Sequence, residues 1–304
     1  YFADLYFRLR TGYENEYLIY NKLLDQNQQY LLIMSAVTYQ DDNLENKINR
    51  VAQKFDQFHT VIRLMDIYES QKFQRLIYPL IKEVRGGTVD DIDSAFNEKL
   101  LDTLVEEGAV QKDEVTSLDE IFTYDRFKYV RNRWVNFSKY VLLRIDRALA
   151  LELDKPSYAG GVLKDLEDHF NKTTRKIYGM HLEHIYAYND SNKELFLDQR
   201  GVFDEQEFIA TRNKLGMVLL LKDRQNESSN NESYLNKIDT YSKSNFIWNE
   251  MMVGHLHGVD AKKLPEWNVE EILATESGAF PLEKVESRQK SLFKAIRHIW
   301  LEEL

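Results

Sequence analysis

The residues best suited to chemistry are Glu183 and His184, adjacent in the chain, and Asn226 further on. A carboxylate beside an imidazole is the pairing a hydrolase needs when it uses one metal and one base. The carboxylate oxygen can hold a hard divalent cation, while the imidazole removes a proton from water. An amide oxygen such as that of Asn226 can act as a second protein ligand and leave positions open for phosphate and water. The bland alternative is a partly buried histidine beside a salt-bridged glutamate.

These residues sit where the texture of the chain changes. The stretches Met180–Tyr186 and Leu215–Leu221 are short and β-compatible, and Tyr234–Met252 returns to helical spacing. Two short strands followed by a helix predict a compact ββα insert in helical surroundings. The first half reads as helix after helix. Leu44, Ile48, Val51, Phe55, Phe58, Ile62 and Met65 form one apolar stripe at steps of three and four. Phe73, Leu76, Ile77, Leu80 and Ile81 repeat it, and Gly86-Gly87 gives a stop signal. Further helices are expected over Val89–Leu104, Phe127–Leu149, Leu163–Tyr178 and Leu282–Trp300. Lys155-Pro156 and Gly160-Gly161 mark the best internal boundary, giving a helical bundle over 1–155 and a second domain over 156–304. The expected fold class is mainly α.

Composition narrows the function. The 304 residues carry 40 Lys and Arg against 50 Asp and Glu, a net charge of -10, so a uniformly basic nucleic-acid coat is excluded. The absence of cysteine excludes disulfide scaffolds, thiol nucleophiles and Cys-ligated metal. No run reaches the ~20 apolar residues of a membrane span. The chain starts without Met or a signal peptide, which suggests the C-terminal part of a longer, cytoplasmic polypeptide. Arg126, Lys128, Arg131, Arg133, Lys139, Arg144 and Arg147, with interleaved aromatics, are expected on one helix; there they would either face a phosphate backbone or pair with acids while the rings pack inward. His255 and His257 lack a third ligand nearby in sequence, so a surface loop is the preferred reading.

His181-Leu-Glu-His-Ile-Tyr-Ala187, then Lys214-Leu-Gly-Met-Val-Leu-Leu-Leu221, then Asn226, Asn231, Tyr234, Lys237 and Tyr241 resemble the HNH-type (His-Me finger) nuclease domain at the C-terminus of GmrSD-type modification-dependent restriction enzymes. The closing Val285–Trp300 stretch is similar too. The resemblance implies a ββα-metal module and a metal-dependent DNA endonuclease, the effector of anti-phage restriction. It implies His184 as general base, Glu183 and Asn226 as ligands of Mg2+ or Mn2+, and Lys237 near the phosphate or fixing the helix. Asn231, Arg131 and Arg133 would support the site or touch DNA, modified or not. It also implies a partner domain, ParB-like and nucleotide-hydrolysing, N-terminal to this chain. Two residues depart from the family pattern: Ala187 stands where proline is expected, and Met217 where the Asn that orients the imidazole is expected. Met217 keeps a second reading open, a weakened or inactive domain that serves as a DNA-binding or regulatory scaffold.

Overall fold

The computed structural model describes residues 1–11, 15–109, 111, 117–156, 159, 177, 180–222, 234–253 and 280–302. It is mainly helical, with one two-stranded sheet among these residues. The described chain divides into two compact units, one ending at Phe127 and the other beginning at Lys128.

In the first unit the expected stripes become helices. α1 (Phe2–Thr11), α2 (Glu16–Leu23) and α3 (Gln28–Ala36) precede α4 (Leu44–Leu64), followed by α5 (Ser70–Glu83) and α6 (Val89–Glu106). α4 packs against α2, α3 and α6, and Phe55, Phe58, Phe73 and Phe96 are buried together. Fully burying each such ring is worth about 1.5–3 kcal/mol. Gly86, at φ 62°, takes the left-handed turn after α5 that a side chain disfavours. Thr88 caps α6: its Oγ1 accepts from the Asp91 N–H at 3.2 Å, and Asp91 Oδ2 accepts from the Thr88 N–H at 2.8 Å. Short helices α7 (Leu118–Ile121) and α8 (Tyr124–Phe127) close the unit.

The second unit holds α9 (Val135–Glu152), β1 (Met180–His184), α10 (Asp190–Lys193), α11 (Glu205–Arg212), β2 (Val218–Lys222), α12 (Tyr234–Ser242), α13 (Ile247–Met252) and α14 (Leu282–Arg297). β1 and β2 pair antiparallel, with Met180 opposite Lys222 and His184 opposite Val218. Val218 through Leu221 are all buried, the pattern of a strand covered on both faces. α9 lies against both strands, and α14 packs on α9 and on the 3-10 turn Leu215–Met217 that leads into β2.

Several expectations are corrected. The helix expected from Phe127 begins at Val135; residues 130–134 run alongside 213–215 instead. Leu215 N–H donates to the Val130 carbonyl at 3.1 Å, Asn132 N–H donates to the Asn213 carbonyl at 2.9 Å, and Arg131 bridges Lys214. Those inter-segment bonds replace the i→i−4 bonds of a helix, so Arg131 and Arg133 do not share a helix with Arg144 and Arg147. The helix expected over 234–252 breaks into α12 and α13, with Asn245 at φ 61° between them. The helix expected over 163–178 lies outside the described residues except for Ile177, and Gly160-Gly161, His255 and His257 lie outside them entirely.

Candidate active site around His184

His184 is the last residue of β1, and its half-buried ring is held by side chains from two other segments. Asn132 Nδ2 lies 3.1 Å from His184 Nε2, across 52 residues of sequence. A side-chain hydrogen bond to Asn213 engages the ring as well. With the Asn132 amide donating at Nε2, the ring carries its proton on Nδ1 and Nε2 is the basic nitrogen. Burial, then the charge of Arg212, and more weakly that of Lys237, pull the imidazole down to about 4, while the Asn213 bond opposes this. The ring is therefore neutral at pH 7 and able to accept a proton.

Successive side chains of a strand point to opposite faces, so Glu183 turns away from the His184 ring into the interior. There the residue is only 7% exposed, and its carboxylate forms a close ion pair with the Lys237 ammonium of α12. Lys237 Nζ also donates to the His184 backbone carbonyl at 3.1 Å, so this one lysine pins α12 to the end of β1. Arg212, at the end of α11, donates from Nε to the Tyr186 carbonyl at 2.8 Å and acts through its charge on both Glu183 and His184.

Of the residues named from sequence, Glu183, His184 and Lys237 come together as described. Arg131 and Arg133 are exposed on either side of Asn132. Asn226 and Asn231 lie outside the described residues. The described part of the site does not fit a hard cation at Glu183, because Lys237 already places a positive charge on that carboxylate and Arg212 adds a second nearby. No group of three or more His, Cys, Asp or Glu side chains gathers among the described residues.

Met217 is buried, and its backbone carbonyl accepts from the Ile185 N–H at 3.1 Å. It offers no amide to the imidazole; Asn132 and Asn213 supply amides instead. Sequence reading missed Asn132. Exposure alternates there, with Tyr129, Arg131, Arg133 and Val135 exposed and Val130, Asn132 and Trp134 less so, but that alternation shows only in the folded chain.

The description that matches this chain is that of GmrSD restriction endonucleases, C-terminal domain, over residues 115–295, a span containing every residue of the site. No curated protein matches the chain. No helix among the described residues is long and apolar enough to cross a membrane.

Proposed function

We propose, since this chain belongs to the C-terminal domain family of GmrSD restriction endonucleases, that it hydrolyses DNA phosphodiester bonds with His184 as the general base. The observation that carries the reading is a neutral, half-buried imidazole, gripped by two amides beside two cationic side chains, inside the matched span. A water would take the place of the Asn132 amide at Nε2, pass its proton to the ring and attack phosphorus in line. The bond to the opposite ester oxygen then breaks, and solvent protonates the leaving group. Arg212 stabilises the negative charge that builds on the phosphoryl oxygens. Arg131 and Arg133 hold the backbone from outside, and because the protein is acidic overall this binding is local and salt-sensitive.

The order β1, β2, α12 supports an HNH-type ββα reading, with Lys237 as the brace that fixes the helix rather than a phosphate ligand. The effector acts in the cytoplasm against foreign DNA, under an N-terminal ParB-like nucleotide-hydrolysing domain. A second reading, a scaffold that binds DNA without cutting it, is favoured by one observation: Lys237 on Glu183 in place of an open cation seat.

Nicking of supercoiled plasmid by the wild type and His184→Ala, each with Mg2+, Mn2+ or EDTA, tests the two readings. Nicking lost in His184→Ala supports the base assignment, and equal nicking by both proteins removes it. DNA binding without nicking in any arm supports the scaffold. The EDTA arm decides whether a divalent cation is required.

A further inference from the structure

The two amides that touch His184 come from separate segments, and one side chain from the end of the chain joins those segments. Gln289 of α14 is fully buried. Its Oε1 accepts from the Gly216 N–H at 2.7 Å, and its Nε2 donates to the Val130 carbonyl at 3.3 Å. Gly216 is three residues beyond Asn213, and Val130 is two residues before Asn132. The bonds from Leu215 to Val130 and from Asn132 to Asn213 complete the link.

The close approach suits glycine. A Cβ on residue 216 would lie 2.7 Å from Gln289 Oε1 and 3.1 Å from the Gln289 backbone, so the Gln289 amide would have to shift off the turn to make room. The neighbouring Arg288, also fully buried, donates from Nε to the Gly216 carbonyl, so both polar groups of this one glycine are taken by α14. The turn so fixed carries Met217, whose carbonyl holds Ile185 next to His184.

We propose that Gln289 is a positioning residue for His184: its single amide fastens the Gly216 turn and the Val130 strand to α14, and thereby holds the segments that carry Asn132 and Asn213 beside the imidazole and fixes the ring's orientation. A methionine there would fill the same space but make neither bond. The inference rests on His184 being the base, yet its effect on the ring is visible without catalysis.

The test compares wild type, Gln289→Met and Gln289→Asn; the asparagine keeps the amide but is one methylene too short to reach both partners. Steady-state nicking and 15N NMR of the His184 ring nitrogens are read on protein shown folded by circular dichroism. The expected result is a kcat lower by roughly 10–100-fold in Gln289→Met with KM nearly unchanged, and ring nitrogens moving from one tautomer to a mixture. Gln289→Asn should fall between, and it carries the test if the methionine variant does not fold. Folded variants with wild-type ring signals overturn the proposal, whatever happens to kcat. Should the wild type nick nothing, the nuclease reading fails, and the ring signals alone still decide the role of Gln289.

Discussion

Each unit keeps a neutral histidine near an arginine, and the two serve different ends. His59, on α4, is fully buried; Arg63 Nε donates to its Nε2 at 2.8 Å, and the rings of Tyr68 and Phe73 stand edge-on at 5.1 and 5.4 Å. Burial first, and Arg63 second, hold its pKa well below the usual histidine value. His184 is also pulled down, but it is only partly buried and its contacts are orientable amides. A depressed pKa therefore does not mark chemistry by itself. Access to water, and neighbours that fix the ring without sealing it, separate a working imidazole from a packing one.

Breaking the scaffold under His184 should have the largest effect. Lys237→Met removes the ammonium from the buried Glu183 carboxylate, at a cost of about 3–5 kcal/mol in urea unfolding, and nicking should disappear with it. On the other side of the comparison, His59→Leu strands the Arg63 Nε–H it receives, for about 1–3 kcal/mol of stability and no loss of nicking per folded molecule.

pH sharpens the contrast. His59 stays neutral in the native state while the unfolded chain takes up its proton near pH 6.5, so its contribution to stability is lost as pH falls below that value. Asp146 runs the other way. Burial raises it to about 7 although Oδ1 accepts from the Trp248 N–H at 3.0 Å, so the native state keeps a proton that the unfolded chain releases above about pH 4. Stability from this group falls as pH rises from about 4 to 7. Asp146→Asn, which keeps the acceptor and removes the charge, should add on the order of 1–3 kcal/mol at pH 8 and little at pH 4, read by thermal melts. For catalysis, the His184 base must be neutral, so kcat should fall on the acid side. That limb should lie between about 4 and the ordinary histidine value, because a bound phosphate offsets Arg212 and Lys237.

The smallest effect belongs to the exposed cations. Arg131→Ala with Arg133→Ala should weaken DNA binding, reduce the salt slope by about two and leave kcat near wild type.

Much of the scaffold was legible because its signals are local. The α4 stripe is written in residues three or four apart and the Gly86-Gly87 stop in a local pair, while β1 shows as a short, partly alternating stretch and β2 as a short apolar run. The histidine grip was not legible in the same way. Asn132 reaches His184 only because residues 130–132 pair with 213–215, a partnership no local period encodes. Gln289 left a trace, as a polar side chain on the buried stripe of Val285, Leu292 and Ile296, but what it bonds depends on a turn 73 residues away.

The central claim is that His184, unlike His59, performs chemistry. The direct measurement is the nicking rate per folded molecule of His184→Ala and of His59→Leu, each against wild type on supercoiled DNA. The account predicts a loss of about 10²–10⁴-fold for the first and a near-wild-type rate for the second. A His184→Ala protein that nicks as fast as His59→Leu would contradict it.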